Sequence, residues 1–185
     1  MWRSSRKSQR RFETLETRCV LDSTVVINEV MYNPTDVAQS LEWVELYNQL
    51  SVDIDLTGWS LDGGTNYRFP QNTVIGGGEY LVVARSPEAL TAETGLTDFW
   101  GPYERRLGNG GDRLLLRDNS QRIMSEVDYD DRGQWPVGAD GSGASLAKAD
   151  PYQSSEQANN WSFSSQIGGS PGQPNDVQRA DLIIN

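Results

Sequence analysis

Three aspartates fall within four residues of the stretch VDYDDRGQW: Asp128, Asp130 and Asp131, with Asp140 a little further on. Carboxylate oxygens at this spacing are the hard ligands that calcium takes. As an EF-hand loop, the stretch has aspartate at positions one and three and glycine at six. It fails at position five, which is Arg132, and at position twelve, where Ala139 stands in place of a bidentate glutamate. A calcium site of another shape, built from Asp128, Asp130, Asp131 and Asp140, stays open beside the simpler reading of a solvated acidic loop. No other cofactor is expected.

Glu29, Glu42 and Glu45 are the carboxylates whose spacing suits paired acid–base work. Glu29 sits in an otherwise apolar run, which points to partial burial and a raised pKa. The plainer role for it is a hydrogen bond to a turn or a pairing with arginine. With no histidine in the chain, the commonest general base and every Ser-His or Cys-His pair are missing. The single cysteine, Cys19, can form neither an internal disulfide nor a multi-cysteine metal site. GNGGD and GGG lack the GK[ST] ending and the strand-to-helix setting of a phosphate loop, so their glycines read as turn residues. The chain is therefore expected not to be an enzyme. Trp43 and Trp100, if exposed, would stack on sugar rings or anchor a partner protein. Trp59 is expected in the core.

The elements that would carry these residues are short. The chain has 185 residues, 18 glycines, six tryptophans and 36% hydrophobic residues, a composition suited to many short strands joined by turns. VVINEVMY opens the pattern and stops at Asn33-Pro34. EWVELYN alternates, with Val44 and Leu46 on one face and Trp43, Glu45 and Tyr47 on the other. LTGWSLDGG puts Trp59 and Leu61 on a shared face. EYLVVAR, nearly continuous, reads as a central strand. Ser86, Pro87, Glu88 and Gly95 mark the cap, first turn and end of one short helix. RLLLRD and RIMSEVDY flank a turn at Asn119-Ser120, as in a hairpin. From Gly133 the chain reads as a long ordered loop anchored by Trp135 and Trp161, and WSFS is the last strand. By composition GGSPGQPN is a linker. About eight strands and one helix predict an all-β antiparallel sandwich, with a small barrel as the alternative.

Charge divides the chain. Residues 1–22 hold six basic and three acidic side chains, a net +3, which leaves −13 for the rest of the −10 total. So acidic a body repels a phosphate backbone and argues against nucleic acid as a partner. No stretch approaches the roughly 20 apolar residues that cross a bilayer. The basic start is not followed by the apolar region of a Sec-type signal.

The ordered series VVINEVMYNP, EWVELYNQ, DLTGWSLDGG, YRFP, GGGEYLVVAR, GNGGDRLLLRD and WSFSSQIGGSPGQPN resembles the lamin tail domain. The resemblance covers roughly residues 24–175 and implies an immunoglobulin-like sandwich with no shared catalytic residues. Within it, the closing S-P-G-x-P-N belongs to the domain. In bacteria such domains stand as accessory modules beside hydrolases, CotH-type kinases or adhesive repeats. RRFETLETRCVLDS is similar to an N-terminal motif of large exported planctomycete proteins. It matches at Phe12, Glu13, Leu15, Glu16, Arg18 and Leu21, with Thr17 where proline is common; the other reading is a plain basic tail.

The expected organisation is a disordered basic arm or export signal over residues 1–23, a sandwich over 24–175, and a linker over 176–185. That linker opens a truncated second repeat, since Leu182, Ile183, Ile184 and Asn185 match Val25, Val26, Ile27 and Asn28. An apolar tail or an added edge strand is the alternative there. The expected function is a non-catalytic module of an extracellular or cell-envelope protein that contacts protein or envelope glycan. The other reading is an accessory segment of a longer hydrolase or kinase protein.

Overall fold

The structure is a computed structural model that describes residues 24–35 and 39–177. The first two long strands are β1 (Val25–Met31) and β2 (Trp43–Asn48). Short strands follow: β3 (Ile54–Asp55), β4 (Ser60–Gly63), β5 (Tyr67–Arg68) and β6 (Val74–Ile75). Next come β7 (Tyr80–Ala84), helix α1 (Pro87–Thr94) and β8 (Phe99–Trp100). The hairpin β9 (Gly111–Arg117) and β10 (Ile123–Asp130), then β11 (Leu146–Lys148) and β12 (Trp161–Phe163), complete the set.

A six-stranded sheet runs β12-β11-β1-β2-β7-β8, a four-stranded sheet runs β10-β9-β4-β5, and β3 and β6 pair by themselves. Every pairing is antiparallel except that of β7 with β8. This is the expected all-β, immunoglobulin-like antiparallel sandwich with one short helix. The core between the sheets takes Val25, Ile27, Val30, Val44, Leu46 and Val83 from the large sheet. Leu61, Leu114, Leu116 and Val127 face them from the small one. Burying each such side chain contributes about 1.5–3 kcal/mol. Trp59 lies in this core, as its parity with Leu61 predicts.

β1 does not alternate simply. Its pairing register with β2 shifts between Ile27 and Glu29, the mark of a β-bulge. Val25 and Ile27 face the core before the bulge, and Val30 and Tyr32 face it after. Without the extra residue, Glu29 would share the face of Val25 and Ile27. The bulge turns it to the outer face, directly across from Glu45.

That outer face is covered as well. Trp43, Met31, Val82, Ala84 and Leu90 form a second apolar cluster, with Leu90 delivered by α1. The helix begins and ends where its sequence signals place it. Ser86 Oγ accepts from the Ala89 N–H, and Gly95 closes it at φ 75° with its N–H donating to Thr91 O. Two-sided cover explains why EYLVVAR is nearly continuous. As β7 it lies next to the sheet's end, not at its centre. Apolar continuity reports coverage of both faces, which a helix supplies here as well as a second sheet would.

The segment read by composition as a linker is a clasp. The Ser170 N–H and Oγ–H donate to Glu29 at 3.0 and 2.8 Å, and the Gly172 N–H donates to Glu45 at 2.7 Å. Asn175 Nδ2 donates to the carbonyls of Asn28 and Lys148, and Pro171 is buried. Gly169, at φ +74°, approaches so closely that a Cβ would lie 2.7 Å from Glu29 Oε1 and 2.8 Å from Trp43 Cζ2. Beyond it Ser164 bridges to Val177, so residues 176 and 177, assigned to the linker by sequence, stay in contact with the domain. β11 lies in the region read as loop, because three residues between a glycine-rich turn and an Asp-Pro turn give no periodicity to detect. The basic arm, the export-like motif and the tail repeat lie outside the described residues, apart from Thr24 onward and up to Val177.

Two stability outcomes follow from these contacts. Gly169→Ala is expected to lower the unfolding free energy measured by urea titration by about 2 kcal/mol or more, since it adds both a clash and an unfavourable φ. Tyr32 packs against Tyr129 in the core, ring centres 4.8 Å apart and tilted by 35°, and its hydroxyl has no hydrogen-bond partner among the described residues. Tyr32→Phe is expected to raise stability by about 1 kcal/mol in the same measurement, because it removes a desolvated, unpaired donor.

Candidate binding surface

The three glutamates singled out by sequence are fully buried. Glu42 pairs with Arg85 at 3.1 Å and with Arg106 at 3.6 Å, and it accepts the Leu107 N–H and the Tyr103 hydroxyl. Burial pushes its carboxyl above the ordinary value, with the Leu107 N–H and the two arginines pulling the other way. Glu29 and Glu45 are cross-strand neighbours held by neutral donors. Ser145 Oγ and Ser170 hold Glu29; Asn28 Nδ2 and the Gly172 N–H hold Glu45. Burial raises both, and the Glu29 charge raises Glu45 further. All three are 0% exposed, and the hydrogen bonds they accept come from within the domain. These three carboxyls hold the fold, and Glu29 does so by bonding a turn and not by pairing with arginine.

The four aspartates do not come together as one group. Asp128 and Asp130 point outward from β10, while Asp131 accepts from Arg132 Nε at 2.8 Å. That bond and the guanidinium charge hold the Asp131 carboxyl below its usual range. Asp140 is engaged elsewhere, accepting from Asn33 Nδ2 at 2.6 Å. Among the described residues no group of three acidic, histidine or cysteine side chains comes together as a metal site.

What the fold does assemble is a cleft of about 430 Å³ at the end of the β9–β10 hairpin, where Asp128, Asp130, Arg132 and Trp135 meet. Trp135 is half-buried, packed on the main core with its ring 6.2 Å from that of Trp161. It is therefore held in place with part of its surface open. The expected Trp43–Trp100 pair does not form. Trp43 is 1% exposed and belongs to the cluster beneath α1, because both faces of β2 are covered. Trp100 is half-buried on the end strand β8, where it lines a separate groove of about 700 Å³. Trp135 was legible as an anchor, and its place within VDYDDRGQW was the available sign that it would share a cleft with Asp128 and Asp130. A second aromatic group was not legible. Tyr47 stacks on Tyr80 at 4.8 Å, and Tyr152, 61% exposed, meets Tyr47 edge-on at 6.3 Å. Tyr152 arrives from a loop more than a hundred residues away.

Two facing, mainly antiparallel sheets, buried and internally bonded glutamates and open aromatic–acidic clefts define a β-sandwich with surfaces for contact. The chain belongs to the Lamin Tail Domain family, whose model matches residues 22–131. That is a family of binding and structural domains without catalytic function. No curated protein matches the chain. The match stops at Asp131, yet β11, β12 and the clasp beyond it complete the large sheet and seal its outer face. No helix among the described residues is long and apolar enough to cross a membrane.

The buried pair gives stability a pH dependence of definite sign. Both glutamates have folded pKa values above the ordinary 4.5. Their contribution is complete below that unfolded value and is lost as pH rises through the folded value. Glu45→Gln has no proton to lose. Its stability relative to wild type is expected to improve steadily as pH rises above 4.5, in urea titrations at fixed salt. A difference that stays constant with pH would show that Glu45 ionisation is not linked to folding.

Proposed function

We propose that this domain is a contact module of an exported or cell-surface protein, and that its cleft at Asp128, Asp130 and Trp135 takes an envelope glycan. The observation that carries the reading is the meeting of a fixed, partly open indole with two outward carboxylates in one cleft. An indole face packs against the C–H face of a pyranose, and carboxylates accept hydrogen bonds from its hydroxyls. Arg132 adds donors on the same wall. A protein loop bearing hydroxyl and aromatic groups is the other ligand that this chemistry accepts. The −13 body favours neither nucleic acid nor any other polyanion. Export is supported by the likeness of Phe12–Arg18 to the planctomycete motif.

Binding is tested by titrating full-length protein with a panel of soluble envelope oligosaccharides. Trp135→Ala is expected to weaken the best ligand at least tenfold, about 1.4 kcal/mol. Asp128→Asn with Asp130→Asn is expected to do the same without touching the packing against Trp161. Undiminished affinity in both variants overturns the assignment of the cleft. Export is tested by locating tagged protein with and without residues 1–22: loss of export on deletion is expected, and cytoplasmic retention of both forms would reject it.

A further inference from the structure

The chain has seven tyrosines, all among the described residues, and Tyr152, at 61%, is the exposed one. It stands in the turn Asp150–Gln153 between β11 and β12. Its hydroxyl meets that of Tyr47 at 3.3 Å, and the two rings are edge-on with centres 6.3 Å apart. Tyr47 lies on the outer face of β2, where Tyr80 of β7 pairs with it in register and stacks on it at 4.8 Å. The backbones are tied as well as the side chains. Gln49 Nε2 donates to the Pro151 carbonyl, and Asn160 Nδ2 donates to that of Asp150 at 3.0 Å. Two phenols more than a hundred residues apart in the chain are thus held oxygen to oxygen at the surface.

A phenol that gives up one electron and one proton becomes a phenoxyl radical, with unpaired density on the carbons ortho to its oxygen. Two such radicals that meet join through those carbons. The hydroxyl contact brings the ortho edges of Tyr47 and Tyr152 side by side, and Tyr80, packed on the face of Tyr47, holds that ring in place. Tyr32 and Tyr129 lie closer ring to ring, at 4.8 Å, but they are 1% and 2% exposed and out of reach of an oxidant in solution. Closeness and access coincide at Tyr47 and Tyr152. The single cysteine of the chain is Cys19, so a disulfide inside the domain is not available to it in any redox setting.

We propose that Tyr47 and Tyr152 form a site of oxidative cross-linking, joined as dityrosine when a peroxidase-type one-electron oxidant acts on the protein with hydrogen peroxide. Each phenol loses one electron and one proton, and a carbon–carbon bond forms between one Cε carbon of each ring. The hydrogen on each of those carbons then moves to the phenolic oxygen, which restores both hydroxyls. The pair as a whole loses two hydrogens, and hydrogen peroxide takes up the two electrons and two protons to leave as two waters. The new bond staples the β11–β12 loop to β2 across more than a hundred residues, and so restricts the unfolded chain. That loop also supplies Ala158 to the Asp128 cleft. The cross-link uses none of the residues assigned to glycan, so either assignment can fail alone.

The test treats the full chain at low concentration with a haem peroxidase and hydrogen peroxide. The protein carries Cys19→Ser, which removes the one thiol that would quench the radicals. Monomer is separated from dimer by size and read by dityrosine fluorescence and peptide mass mapping. A monomer lighter by two hydrogens, with the Tyr47 peptide joined to the Tyr152 peptide, is expected. Tyr47→Phe and Tyr152→Phe each keep the ring and lose the phenol, and each is expected to abolish the cross-link within the monomer. Tyr80→Phe keeps the brace and is expected to retain it. Cross-linked monomer is expected to unfold at higher urea than untreated protein, and treated Tyr152→Phe is expected not to. Absence of dityrosine from the monomer, a bond mapped to Tyr47 with Tyr80, or a monomer cross-link that survives Tyr152→Phe overturns the proposal. An unraised urea midpoint in the cross-linked monomer overturns the stapling role.

Discussion

At Asn28 the pairing of the first strand with the second slips by one residue, and the outer face of the large sheet is organised by that slip. Strict alternation from Val25 would send Glu29 into the apolar core, where an unpaired carboxylate costs several kcal/mol. The bulge sends it outward instead, to lie against Glu45. Two carboxyls side by side then need cover that brings donors with it. The clasp provides that cover: its amides and serine hydroxyl reach the pair, with the buried Pro171 between them in the chain. Gly169 is required because the clasp passes within contact distance of Trp43 and Glu29 at a positive φ.

This arrangement ties the two ends of the domain together. The clasp is more than a hundred residues from β1 in the chain, yet it bonds to Asn28, Glu29, Glu45 and Lys148 of the sheet. A closure built on hydrogen bonds to buried acids is directional, so it fixes where the clasp lies as well as whether it binds. The position of Pro171–Gln173 in turn shapes one wall of the groove beside β8. The structural role of the acid pair and the form of a surface groove are thus linked through a single segment.

The acidic residues of the body divide by what they face. Glu29, Glu42 and Glu45 are consumed by the interior, and Asp118 closes the β9–β10 turn by accepting from Ser120 and Arg122. Asp131 and Asp140 have partners within the domain. Glu79, Asp98 and Asp128 remain exposed and line clefts. Net charge alone treats all of these alike; only those with open faces can act on a partner.

Much of the architecture was legible in local pattern. The cap and end of α1, the hairpin turn, the core parity of Trp59 with Leu61 and the sandwich class each depend on residues within a few positions of one another, where backbone geometry is dictated by side-chain type and spacing. The tertiary structure decided what local pattern cannot encode. It chose which strands are covered on both faces, which buried Trp43 and moved EYLVVAR from the centre toward the edge. It drew Asp140 away to Asn33, and it joined Trp135 to Asp128 and Asp130. It turned GGSPGQPN from an apparent linker into the clasp, because glycine, serine and proline look the same in sequence whether their amides meet water or a buried glutamate. Spacing along the chain sets which faces exist; the partner of each face is chosen by contacts between segments far apart, and those are settled only when the chain has closed on itself.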